Sequence, residues 1–482
     1  MISYVNRLRA LRDEDPSAVA VTCQGDTITR AELLERGGDL AVHLKSLGVG
    51  FGDLVTVAVP NSIEWFVSYV AIWMLGATPQ PVSSRLPPRE LEALLALADP
   101  PVVIGVPDGT VEGRPTIPVG FRAPRADASH LPDLVSPAWK APTSGGSTGR
   151  PKLIVSGDPA ALDEALPPPM MMDKGGCLVM PGPLYHNGPA VWSWNALLHG
   201  LKVALMPRFD AEGTLQEIER HRGSVLYMVP TMMKRIWRLP EDVRDRYDLS
   251  SLRIVWHLAE PCPEWLKQCW IDWLGAERIM ELYAGTEAQT ATIISGPEWL
   301  AHRGSVGRPA PGTVMITDDD GNEVPTGEMG EVWMRSLRGT PTYRYIGATA
   351  RAREDGWESL GDNGRLDEDG YLYLGDRQSD MILSGGANIY PAEVEAAIQE
   401  HPAVHSCAVI GLPDEDKGAV VHAIIEADPA AVGEDELRTF LAERLVVYKV
   451  PRTFEYVSFP LRGDDGKVRR SALRAERVGD NG

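Results

Sequence analysis

TSGGSTGRPK, residues 143–152, sets three glycines, two serines and two threonines between an apolar approach and the apolar exit LIV at 153–155. Such a run makes a poor helix and a poor strand, because glycine loses backbone entropy and Ser/Thr hydroxyls divert hydrogen bonds to nearby backbone. It offers instead a loop crowded with backbone N–H groups, hydroxyls and two cations, Arg150 and Lys152. That is the equipment for wrapping a polyphosphate. The spacing is not that of the Walker loop, which needs Gly-x4-Gly-Lys-Ser/Thr. Taken alone, the stretch also reads as a Gly/Ser surface linker.

The rest of the chain narrows the choice. At 482 residues it is too long for one compact core and divides into domains. Apolar residues make up 44% and charged residues 24%, an ordinary globular composition. Net charge is −20, which invites neither nucleic acid nor an anionic membrane. A polyphosphate ligand therefore requires positive charge to be gathered locally. Cys23, Cys177, Cys262, Cys269 and Cys407 are an odd number without a CxxC pair, so reduced thiols in a cytoplasmic protein are expected. The start, MISYVNRLRALRDEDP, lacks the apolar core of a signal peptide. The longest apolar run, 65–77, falls short of the ~20 residues of a membrane span and reads as a buried helix.

Short apolar runs at 54–59, 101–106, 176–180, 202–206, 224–229 and 253–257 read as buried strands. Helix-length segments at 63–75, 211–221 and 264–274 separate them, which predicts parallel sheets covered on both faces. In such sheets ligands collect at the carboxyl ends of strands. Residues 304–331 change to Gly- and Pro-rich β-like pieces. A small α/β unit with helices at 391–400 and 434–445 follows.

Four more stretches matter: YAGTE at 283–287, Gly361-Asp362, GDRQSDMILSGGANIYPAEVE at 375–395, and Gly466-Lys467. With 143–152, and in this order over nearly the whole chain, they resemble the adenylate-forming superfamily of acyl-CoA ligases, peptide-synthetase adenylation domains and luciferases. The resemblance implies an α/β fold. Its large N-terminal domain (1–375) has two parallel-rich sheets and a distorted β-barrel; a hinge at 376–380 leads to a small mobile α+β domain (381–482). It also implies a reaction: ATP activates a carboxylic acid to an acyl-adenylate, pyrophosphate leaves, and CoA takes the acyl group as a thioester.

Residue roles follow from the same resemblance. Thr143, Ser144, Gly145, Gly146, Ser147, Thr148, Gly149 and Lys152 form the phosphate loop. Ala259, Glu260 and Pro261 line the adenine pocket, Tyr283, Ala284 and Gly285 continue it, and Asp362 with Arg377 holds the ribose. Thr286 contacts the α-phosphate and Glu287 holds Mg2+. Lys467 bridges the carboxylate and the α-phosphate, where charge must be neutralised as two anions meet. Tyr185 and His186, in PGPLYHNGP, lie beside the carboxylate; Trp192, Trp194, His257 and Ala284 belong to the acyl pocket. Ser384, Gly385 and Gly386 pass the thiol arm of CoA, and Ser379 is the hinge position. Stretches such as PLYHNGP, VPTMMKRI and SGGANIYPAEVE are most similar to bile-acid and steroid-acid CoA ligases, which implies a bulky polycyclic, terpenoid or aryl acid. The sequence departs from the family at Ala284, usually glycine, and at Ser379, often Asp or Lys. A carrier-protein acceptor, a single half-reaction, a nucleotide-binding protein without catalysis, and a homodimer all stay open.

Overall fold

Apolar strands that alternate with helices bury both faces of their sheet only when helices cover it. The computed structural model, which describes residues 1–145, 151–375, 380–384, 387–414, 418–463 and 467–479, is built this way. Among the described residues nine strands form the largest sheet, in the order Arg308–Pro309, Ala291–Ser295, Ile279–Ala284, Ile254–Leu258, Val225–Met228, Cys177–Met180, Lys202–Leu205, Val19–Cys23 and Asp26–Thr29. The six from Ile279–Ala284 to Val19–Cys23 run parallel, and antiparallel strands close both edges. A second sheet, Thr78–Pro81, Leu54–Val57, Val103–Ile104 and Thr116–Ile117, is parallel throughout. The run expected to be a strand at 101–106 keeps sheet pairing only at Val103–Ile104.

The helix Ile63–Met74 is buried at every residue but Glu64, as an all-round apolar helix must be. It packs on the helix Arg30–Ser46, which starts with a Thr29/Glu32 capping box. Gly37 permits that approach: a Cβ there would lie 2.5 Å from Val70 Cγ1. Trp65, Phe66, Tyr69 and Trp73 of the buried helix surround Trp194, with ring centroids 4.4–6.1 Å away. Each such ring stabilises the core by on the order of 2–3 kcal/mol relative to exposure.

Beyond residue 304 the parallel pattern stops. Thr313–Thr317, Gly330–Arg335, Glu358–Leu366, Arg351–Ala352 and Leu372–Leu374 pair antiparallel. The stretch that opened the sequence reading is more regular than its composition suggests. Thr143–Gly145 pairs antiparallel with Pro151–Ser156, which pairs in turn with Tyr343–Ile346. Backbone ladder bonds here override poor local propensity, and Gly146, Ser147, Thr148, Gly149 and Arg150 lie outside the described residues.

The C-terminal part has its own apolar core, centred on Val394, Ile398, Cys407, Val409, Ile425 and Leu437. There Ser406–Asp414 pairs antiparallel with Gly418–Glu426, Thr453–Val457 lies parallel beside it, and the helices Pro391–Gln399, Glu434–Ala442 and Arg470–Gly479 accompany the sheet. Among the described residues no helix is long and apolar enough to cross a membrane.

Candidate active site

The carboxyl ends of four parallel strands open onto one cavity of about 2860 Å³. From Met180 the chain continues through Tyr185 and His186, from Met228 through Val229 to Thr231, from Leu258 through Ala259 to Pro261, and from Ala284 through Gly285 to Glu287; all of these line it. The volume exceeds the ~300–1,000 Å³ of an ordinary single-ligand pocket, leaving room for more than one substrate.

Glu287 is the acidic centre. Its buried carboxylate accepts a 2.5 Å hydrogen bond from the Tyr345 hydroxyl, and Lys152 Nζ lies 3.6 Å away. Lys152 also sits 3.9 Å over the Tyr345 ring. Burial and the neighbouring Glu287 push the Tyr345 hydroxyl far above the usual phenol range, so it stays a donor. Gly285 is glycine for space: a Cβ would come within 2.4 Å of Leu360 Cδ1 and 2.9 Å of Glu287 Oε2. No group of three His, Cys, Asp or Glu residues placed to hold a metal ion exists among the described residues. One carboxylate at the wall of a cavity large enough for a nucleotide suits Mg2+, a hard cation that takes most of its oxygens from substrate phosphates and water.

Tyr283 donates a 2.7 Å hydrogen bond to Asp362 across the cavity floor, which joins two residues 79 positions apart. Asp362 follows Gly361, whose φ of 81° suits glycine and turns the backbone there. Ala259 holds φ 73° without being glycine. Strain of this kind persists where its surroundings fix it, and here Glu260 accepts a 2.7 Å bond from Thr231 and faces Arg462 Nη1 at 3.9 Å.

The acyl side is aromatic. Tyr185 and His186 rings meet at 4.2 Å, tilted by 43°, just before the helix Asn187–Leu198. Trp192 meets Tyr227 and Trp256 edge-on at 5.4 and 5.8 Å, and Trp256 Nε1 donates to the Met170 carbonyl at 3.1 Å. A Cβ on Gly188 would press within 2.4 Å of the Tyr227 hydroxyl, so the helix start can approach that wall only as glycine.

Two expected acyl-pocket residues lie elsewhere. Trp194 turns into the core against Trp73, because positions two apart on a helix point about 200° apart and Trp192 already faces the cavity. His257 alternates with the cavity-lining Trp256 and Leu258 and does not share their face. It is fully buried, with Nε2 3.9 Å from Glu281, whose carboxylate takes a 2.5 Å bond from Lys267. Burial draws the His257 pKa down to about 4, against the pull of Glu281.

From the C-terminal part, exposed Lys467 lines the same cavity. Arg462 reaches Glu395 at 3.5 Å as well as Glu260, and Arg238 donates to the His401 carbonyl at 3.2 Å, so the two parts meet beside the adenine-side segment. Arg470 also lines the cavity and pairs with Glu395 and Asp380 at 2.9 and 3.1 Å. Thr143, Ala284 and Thr286 line the cavity. Ser144 and Gly145 are described by their strand pairing, and Ser384 ends the strand Ile382–Ser384. Arg377, Ser379, Gly385 and Gly386 lie outside the described residues.

The sequence reading missed Tyr345, Tyr227 and Lys140. For Tyr345 the signal was present: YRYI alternates, so Tyr343 and Tyr345 share one face of a strand. Lys140, from the extended segment before Thr143, is buried in the cavity wall and bonded to the side-chain oxygen of Asn187.

Comparison with known proteins fits this geometry. Residues 9–344 match the AMP-binding enzyme family and residues 393–463 match the AMP-binding enzyme C-terminal domain. The chain is 32% identical to a feruloyl-CoA synthase of Amycolatopsis sp, over 95% of this chain and 96% of that one. It is 30% identical to a long-chain-fatty-acid–CoA ligase of Mycobacterium tuberculosis, over 93% of each. The o-succinylbenzoate CoA synthetase of Bacillus subtilis, solved with its acyl-adenylate intermediate, superposes with a TM-score of 0.80 at 25% identity, covering 97% of this chain and 98% of that one. With strand ends, a buried carboxylate and a C-terminal lysine around one cavity, the chain belongs to the AMP-binding enzyme family, as an AMP-forming acid–CoA ligase.

Proposed function

We propose that this ligase, which uses ATP, Mg2+ and CoA, activates a bulky ring-bearing carboxylic acid, and that the residues gathered at the strand ends carry the reaction. The observation that supports the substrate class is the wall of Trp192, Tyr227 and Trp256, rigid edge-to-face rings that line the cavity. The relatives act by name on acids of both kinds, ring and chain, so the support for a ring acid comes from the wall.

In this reading Tyr283 stacks on adenine, Asp362 accepts from the ribose hydroxyls, and the 143–152 stretch with Lys152 surrounds the phosphates. Glu287 would hold Mg2+, which supplies charge neutralisation on the phosphates. Thr286 contacts the α-phosphate. His186 orients the acid so that a carboxylate oxygen attacks the α-phosphorus as the bond to pyrophosphate breaks. Lys467 neutralises the two anions as they meet, in a site where preorganised cations outperform water. Residues 381–482 then turn about the 376–380 hinge, Lys467 withdraws, the thiol arm of CoA enters along Ser384, Gly385 and Gly386, and its sulfur attacks the acyl carbon to expel AMP. Free CoA is the acceptor in this reading: Arg85, Arg89, Arg469 and Arg474 stand exposed on the cavity lining, where a phosphate-bearing thiol would pass. Five unpaired cysteines and the use of ATP support a cytoplasmic setting.

Carboxylate-dependent ATP–pyrophosphate exchange over aryl, polycyclic and straight-chain acids, with and without CoA, tests the reading. Exchange and acyl-CoA formation with ring acids are expected. A preference for straight-chain acids would refute the substrate class, and exchange without any CoA product would point to a carrier-protein acceptor.

A further inference from the structure

Among the described residues, Lys140 is the one buried cation of the cavity lining that the reaction above does not use. Only 7% of the residue is exposed. Its amine bonds the Asn187 side-chain oxygen, next to His186, and lies 4.3 Å over the Trp139 ring. No carboxylate among the described residues forms an ion pair with it. The two that it senses electrostatically are already engaged: Asp158 by Arg338 at 2.8 Å, Glu287 by Tyr345 and Lys152. An ammonium has three donors, and one neutral amide oxygen uses one of them.

A buried lysine in that position is costly unless something completes its shell. Burial draws its pKa down to about 7, with Asp158 and Glu287 pulling the other way. A purely structural lysine would be expected to resemble Lys267, which holds Glu281 at 2.5 Å. Lys140 instead lines the cavity, whose wall also includes Tyr4, Trp139 and Leu162 and, from the helix after His186, Asn187, Val191 and Asn195. Those last three recur every fourth residue, so they form one stripe of the helix Asn187–Leu198 that runs on from His186.

We propose that Lys140 is a substrate-binding residue that selects acids carrying a second acceptor oxygen (keto, phenolic or carboxyl), which reaches the cavity wall beside Asn187 and completes the shell of the amine. The inference rests on the ligase reading and on the acid lying along the helix from His186. A site built to bond an oxygen discriminates strongly against the analogue lacking it, because a buried donor is then left unmet.

The test uses the full-length enzyme and pairs of ring acids that differ in one oxygen, such as cinnamate with its hydroxylated forms and cyclohexanecarboxylate with its keto forms. Pyrophosphate exchange is measured for wild type, Lys140→Met and Lys140→Arg, with KM for both acid and ATP. The wild type should favour the best oxygenated acid by about tenfold or more in kcat/KM. Lys140→Met should erase that ratio through the KM of the oxygenated acid, leave the plain acid within about threefold, and be partly rescued by Lys140→Arg. Equal loss for both acids would make Lys140 a support for Asn187 and overturn the proposal. So would a raised KM for ATP with the ratio intact, or a wild type indifferent to the oxygen. Absence of exchange with every acid would overturn the ligase reading itself, a result distinct from any of these.

Discussion

Lys267 and Lys140 are both buried lysines, and the difference between their surroundings separates scaffold from site. Lys267 is fully buried against Glu281 in a cluster with His257, where each charge has its counter-charge. Lys140 is buried against a neutral amide and faces a cavity. A compensated charge serves the fold and demands nothing further; an uncompensated one at a cavity wall implies a ligand. Lys467 extends the series: it is exposed, on the C-terminal part, and lines the cavity from outside the sheet.

Substitutions at these residues break the comparison in different currencies. Lys467→Ala should have the largest effect, a loss of about 1,000-fold in pyrophosphate exchange, with thioester formation from supplied acyl-adenylate nearly unchanged; equal loss in both would remove its assigned role. Lys267→Met should cost about 3–5 kcal/mol of stability, because it strands the buried Glu281 charge. Urea unfolding reads this, and the ratio between oxygenated and plain acids should not move in molecules that remain folded. Glu287→Gln should lower exchange about 100-fold and raise the Mg2+ needed for half-maximal rate, whereas an unchanged Mg2+ titration would place the metal elsewhere.

The smallest effect concerns His257. Its folded pKa of about 4 lies below the ordinary value of 6.5, so below pH 6.5 the unfolded chain binds the extra proton. Stability from this group is complete above pH 6.5, falls as the pH drops, and is lost by about pH 4. The loss at pH 5 is about 2 kcal/mol. His257→Asn should flatten that acid limb in a series of urea titrations; a limb of unchanged slope would show that another group causes it.

What the sequence made legible were the residues that follow strands directly. Thr286, Glu287, Tyr185, His186 and Ala259 to Pro261 each come after an apolar strand, Tyr283 stands near the end of one, and the parallel sheet delivers all of them to one cavity. Alternation and helix rotation caused the misreadings: His257 and Trp194 sit in the right segments on the wrong faces. Long-range pairing hid Tyr345, which reaches Glu287 across 58 positions because Tyr343–Ile346 pairs with Pro151–Ser156. Lys140 was hidden for a related reason, since its significance comes from Asn187, 47 positions away, and from the lack of a carboxylate partner among the described residues. No local pattern records either fact.

The central claim is that this cavity adenylates a ring-bearing acid. Acid-dependent ATP–pyrophosphate exchange by the purified full-length protein, with aryl and polycyclic acids set against straight-chain acids of equal carbon number, tests it most directly. The account predicts exchange that favours the ring acids and disappears in Lys467→Ala. Exchange that favours straight chains, or that survives the loss of Lys467, would contradict it.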